Sequence, residues 1–209
     1  MRLKIGFVII CAIMFSSLHL RAQQSIVYSQ YLFNGLLINP AYAGSHVQMS
    51  GTLTYRNQWV NFQGAPETTT FGAHTALMKG RVGVGLLATN DQIGSYRNTG
   101  LFLNYAYIIK DPANNGVLSM GISAGANNYK ADFEELTLKS GQDPIFNVFM
   151  NEFRPNFGGG IFYYNKKMFA GFSVPAILTH GSLFSGKLEQ LKTPRFYYLN
   201  AGLKMPLDP

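Results

Sequence analysis

The chain has 209 residues, with 17 basic and 10 acidic side chains, one cysteine and a formal net charge of +7. Only 13% of its residues are charged, 14% are aromatic and 22 are glycine, whereas soluble domains carry about 25% charged residues. So little charge argues against a water-coated globule, a single cysteine rules out a disulfide framework or a cysteine-rich metal site, and the length suits one domain.

Residues 1–22 read as a secretory signal peptide. Arg2 and Lys4 give a positive start, Ile5 to Leu18 is an apolar run softened by Ser16 and Ser17, and Ala22 is a small residue before Gln23. A transmembrane anchor is the alternative, but the uncharged run from Ile5 to Leu20 is shorter than the ~20 residues a spanning helix needs. Cys11 lies inside this run, after the bulky Ile10, so a lipid-modified cysteine is not expected. Cleavage removes Arg2, Lys4 and Arg21 and no acid, leaving 14 basic against 10 acidic residues, a net of +4. The remaining basic residues look scattered, with Lys166-Lys167 the densest pair, so no nucleic-acid stripe is expected.

The next segment, 23–44, is uncharged, aromatic and rich in amides. Asn39-Pro40 favours an extended or turning backbone rather than a long helix. From Val47 onward the pattern alternates. Val47, Met49, Gly51, Leu53, Tyr55, Asn57 and Trp59 share one largely apolar face of the first predicted strand, opposite Gln48, Ser50, Thr52, Thr54, Arg56 and Gln58. Further strands are expected around Thr68–Leu77, Val82–Thr89, Gly100–Ile109, Leu118–Asn127, Asn156–Tyr163, Met168–Val174 and Tyr197–Lys204. The clearest is the fourth, with Leu101, Leu103, Tyr105, Tyr107 and Ile109 against Gly100, Phe102, Asn104, Ala106 and Ile108.

Apolar side chains every second residue, facing small polar ones, suit strands with lipid on one side and a polar lumen on the other. The links support this. Lys79-Gly80, Asp111–Gly116 and Asn165–Lys167 are short, while Val60–Pro66, Asn90–Asn98, Lys130–Arg154 and Ala176–Arg195 are longer. Outer-membrane barrels show that alternation of short periplasmic turns and long outer loops. A soluble β-sandwich would account for the strands but not for the missing charge. The expected fold is therefore all-β, an antiparallel transmembrane β-barrel with about eight strands present.

Tyr28-Ser29-Gln30-Tyr31, followed by Asn39-Pro40-Ala41-Tyr42-Ala43-Gly44, resembles the start of the PorP/SprF family, outer-membrane proteins of the type IX secretion and gliding machinery of Bacteroidetes. The resemblance continues through Tyr55-Arg56-Asn57-Gln58-Trp59, Gly64-Ala65-Pro66, Asn90-Asp91-Gln92-Ile93-Gly94 and Asn98-Thr99-Gly100-Leu101. It runs on through Asn104-Tyr105-Ala106-Tyr107, Pro155-Asn156-Phe157-Gly158 and Ala170-Gly171-Phe172-Ser173-Val174-Pro175. Members of the family look longer than this chain, which stops at Lys204-Met205-Pro206-Leu207-Asp208-Pro209 just after a strand. The expectation is a C-terminally incomplete barrel over 45–209, preceded by a segment, 23–44, at the periplasmic mouth or in the lumen.

The resemblance implies a non-enzymatic outer-membrane component that helps secrete or anchor cargo or an adhesin. Its implied partners are outer-membrane lipid, the secreted cargo and other secretion or gliding proteins, among them a periplasmic peptidoglycan-associated one. A porin-like or ligand-transport barrel is the alternative. Tyr28, Gln30, Tyr31, Asn39, Pro40, Tyr42, Gly44, Arg56, Gln58 and Trp59 are the motif positions that would contact partners. Tyr55, Trp59, Tyr105 and Tyr107 suit an aromatic belt at the membrane interface.

No catalytic residue, cofactor or metal site is expected. Gly121-Ile122-Ser123-Ala124-Gly125 fits the nucleophile-elbow pattern, but that chemistry needs a strand-to-helix turn, and here the motif falls mid-strand. Gly83-Val84-Gly85 has no helix after it to bind a phosphate. His46, His74 and His180 lack ligand spacing, and Asp132, Glu134, Glu135, Asp143 and Glu152 read as loop carboxylates rather than a calcium or acid–base pair.

Overall fold

The structure is a computed structural model that describes residues 33–46, 48–111, 115–132, 149–178 and 195–204; the expected signal peptide, 1–22, and Tyr28, Gln30 and Tyr31 lie outside them. Eight strands follow in chain order: β1 (Ser50–Asn57), β2 (Glu67–Leu77), β3 (Val82–Ile93), β4 (Tyr96–Asp111), β5 (Gly116–Asp132), β6 (Phe149–Tyr164), β7 (Met168–Val174) and β8 (Tyr198–Leu203). Each pairs antiparallel with the next in a single sheet, curled like half a barrel. Among the described residues β1 and β8 are its two edges. No helix in the described residues is long and apolar enough to cross a membrane.

The convex face is apolar. Across one row the register aligns Leu53, Phe71, Ala88, Leu101, Ala126 and Pro155. Nearer the turns it aligns Leu77, Val82, Tyr107, Met120, Ile161, Phe172 and Leu199. Leu101, Leu103 and Tyr105 are 56%, 65% and 46% exposed, so they form no enclosed interior between two layers. An outward band this greasy needs lipid around it.

Above the band the same face turns polar, through one mixed row that contains Tyr55, Thr99 and Phe153. Asn57, Glu67, Gln92, Arg97, Lys130 and Asn151 are in register across six strands. On β4 the outward apolar positions run from Leu101 to Ile109 and end at Thr99 and Arg97. Nine residues rising ~3.4 Å each, tilted as barrel strands are, span roughly the 25 Å of a hydrocarbon layer.

The strands are longer at this loop end than the alternation predicts. The expected link Asn90–Asn98 is instead a tight hairpin in which Ile93 pairs with Tyr96. Polar side chains on both faces hide the period-two signal there, but the backbone ladder does not depend on it, and Gly94, at φ 56°, supplies the left-handed turn residue. Likewise β5 and β6 extend into the expected 130–154 loop, with Lys130 paired to Asn151. β1, by contrast, stops at Asn57. Trp59 takes a φ of 59°, which ends the strand and places it in the β1–β2 loop.

Candidate functional site

The concave face is built from small and polar residues because something packs against it. Ser50, His74, Gly85, Asn104, Ser123 and Gly158 form one row, and Ala76, Gly83, Ala106, Gly121, Gly160 and Ser173 the next. Residues 34–44 lie across these rows as two short 3-10 turns, Gly35–Leu37 and Pro40–Tyr42. Leu36, Leu37, Ile38 and Ala43 form a buried cluster with Leu87 and Ala106, and Ala41 is buried as well. Complete burial of each large apolar side chain contributes about 1.5–3 kcal/mol, so this short segment is anchored mainly by its apolar groups.

Asn39 orders the middle of the segment. Its side-chain oxygen accepts from the Ala41 amide at 2.9 Å, capping the turn that Pro40 opens. Its Nδ2 donates to the Ile161 carbonyl of β6 at 3.0 Å. The Ser173 hydroxyl donates to the Ile38 carbonyl from β7. Close approach explains the glycines: a Cβ on Gly121 would strike the Ala41 backbone, and one on Gly160 would strike the Asn39 side chain.

At the turn end of the segment, the Gly44 amide donates to His74 Nδ1 at 3.3 Å. The Tyr42 ring packs edge-on to His74, with centroids 5.4 Å apart, and meets Phe162 at 5.5 Å. The His46 and His74 rings are also 5.4 Å apart. These two histidines are therefore neighbours, contrary to their separation in sequence, because the chain leaves the concave face beside the start of β1. Among the described residues no three His, Cys, Asp or Glu gather as metal ligands would.

Nearer the loop end, the concave face is polar, and Thr70, Thr89 and Asp91 on it are buried. Thr54, Thr70, Thr89, Gly100, Asn127 and Arg154 align in register, and above them Arg56, Thr68, Asp91, Asn98, Tyr129 and Glu152. Arg154 pairs with Glu152 at 2.6 Å and stacks over the Tyr129 ring at 4.8 Å. Thr68 donates to the buried Asp91 carboxylate.

The motif positions thus divide. Asn39, Pro40, Tyr42 and Gly44 are gathered on the concave face. Arg56, Gln58 and Trp59 sit at the loop end, where Arg56 Nη2 donates to Gln58 Oε1 at 3.0 Å and the Gln58 amide donates to the Pro66 carbonyl at 3.0 Å. Tyr55, Trp59, Tyr105 and Tyr107 are all exposed. Ser123 is buried mid-strand on β5. The cradle glycines and Ser173 were missed as a set, although small residues recurring on one face of successive strands are their signature.

A family profile described as type IX secretion system membrane protein PorP/SprF matches residues 20–208. The chain belongs to this family. The PorP/SprF match and the outward apolar band together make it a membrane component of the type IX secretion system. No curated protein and no solved structure matches the chain.

Proposed function

We propose that this PorP/SprF chain is a non-enzymatic outer-membrane component that helps to secrete cargo or anchor an adhesin at the cell surface while contacting periplasmic machinery. In this reading residues 1–22 direct export, the short turns face the periplasm and the loop end faces outward. The Tyr55 and Trp59 rings at the loop end and Tyr107 nearer the turns then sit against lipid headgroups and the edge of the acyl layer, whereas Tyr105, at the centre of the band, faces acyl chains.

The observation that carries the reading is the buried segment 34–44 on the concave face. In a diffusive pore that face would line the water channel. Here it holds a packed polypeptide, which suits a platform that presents loops and turns to partners. The porin-like alternative requires this surface to be open.

Deleting the gene should abolish secretion or surface display of the cargo, while the purified protein in planar bilayers shows negligible conductance. Steady channels without a secretion phenotype would establish the porin reading instead. Recovery in the soluble periplasmic fraction, with no heat-modifiable migration on gels, would remove the membrane assignment altogether.

A further inference from the structure

The turn end of the sheet gathers charge that the sequence disperses. Lys79 and Arg81 belong to the β2–β3 turn, Lys110 lies near the end of β4, Lys166 and Lys167 form the β6–β7 turn, and Lys204 follows β8; all six are exposed. Asp111 is the one acidic residue at this end among the described residues. The loop end, by contrast, mixes Arg97, Lys130 and Arg154 with Glu67, Asp91 and Glu152.

The fold draws these like charges into two groups at the same end of the sheet. Lys110 Nζ donates to the Lys79 carbonyl at 3.2 Å, reaching from β4 to the neighbouring turn. The Lys204 amide donates to the Lys167 carbonyl at 2.6 Å. None of the six forms an ion pair among the described residues. Charges gathered within a Debye length, about 8–10 Å, add their fields and raise the rate at which an oppositely charged surface arrives.

The side of the sheet that carries them decides the occupant. The outward positions at this level are apolar: Leu77, Ile109, Met168 and Leu203 are all exposed. Lys110 and Lys204 occupy the alternate, inward parity of β4 and of the residue after β8. The charge of Lys110 and Lys204 therefore lies on the side of the concave mouth, beside the exit of residues 44–46, rather than toward lipid headgroups, with the turn residues between them at the same end of the sheet.

We infer that this basic rim is the docking surface for an acidic face of a periplasmic protein. The inference rests on the orientation in the proposed function, and it adds the chemistry of the partner: carboxylate-rich, bound across several turns, and sensitive to salt.

The test uses the full chain in discs of zwitterionic phosphatidylcholine, with poly-L-glutamate as the probe. Wild type should bind, more weakly as salt rises. K79Q/R81Q/K110Q/K166Q/K167Q/K204Q should bind about tenfold less or worse, and R97Q/K130Q at the loop end should bind like wild type. Heat-modifiable migration checks that each variant is folded, and K166Q/K167Q, confined to one exposed turn, gives a partial loss even if the six-site variant fails to fold. Equal binding by wild type and the rim variants overturns the proposal, as does equal loss in the loop-end variant. Rim-dependent binding of phosphatidylglycerol vesicles without binding of polyglutamate assigns the rim to lipid and also overturns it. Secretion is read separately: the rim can fail this test with secretion intact, and a chain with no secretion role would leave the binding result standing.

Discussion

Asn39 and Ile161 lie 122 residues apart, yet the Asn39 amide donates to the Ile161 carbonyl at 3.0 Å. This bond stitches the segment before the sheet to its sixth strand. The same side chain caps the turn at Pro40. Replacing Asn39 with Ala removes both bonds and leaves the Ile161 carbonyl without this donor. A loss of about 2 kcal/mol is expected, read as a lower denaturant midpoint in detergent. Asn39→Asp keeps the acceptor for Ala41 but sets a buried carboxylate oxygen against the Ile161 carbonyl, so at neutral pH it should be at least as damaging as Asn39→Ala.

The cradle for residues 34–44 depends on missing side chains. Gly121→Val places a branched group against the backbone of Pro40 and Ala41, which leaves no room for it. The segment should be expelled while the sheet persists, exposing a new protease site within 33–46. Gly159→Ala is the control, because a Cβ there meets only the Gly121 carbonyl oxygen at 3.8 Å. Equal protease resistance in both variants would mean that the segment does not need the cradle.

His74 joins the exit of this segment to β2. His74→Ala removes the acceptor for the Gly44 amide and the ring that packs on Tyr42. A cost of about 1–2 kcal/mol is expected. His74→Phe restores the ring but not the acceptor and should recover part of that loss. If neither substitution changes the unfolding midpoint, the contact does not stabilise the fold.

The outward band makes a depth-dependent prediction. Leu103 lies inside the band, one outward position from its centre at Tyr105, and Thr99 lies next to the polar row that contains Arg97. Leu103→Arg should cost about 2–4 kcal/mol for insertion into lipid vesicles, whereas Thr99→Arg should cost ~1 kcal/mol or less. Equal penalties at the two positions would remove lipid from the convex face.

The alternation of Leu101, Leu103 and Tyr105 with Phe102 and Asn104 was enough to locate β4 and its outward face, because lipid on one side imposes a period of two on every residue within the band. β7 was legible from Met168 to Val174 for the same reason. Beyond the band that selection ends, so the polar outer ends of β3, β4, β5 and β6 looked like loops although their backbones remain paired. The family motifs marked Asn39 and Pro40 without saying what they touch. Only the tertiary structure decided that Asn39 reaches Ile161, that His46 meets His74, and that Lys79, Lys110, Lys167 and Lys204 share one rim. Those relationships arise because antiparallel strands return each turn to the same end of the sheet, so residues dozens of positions apart become neighbours through register rather than through any local pattern.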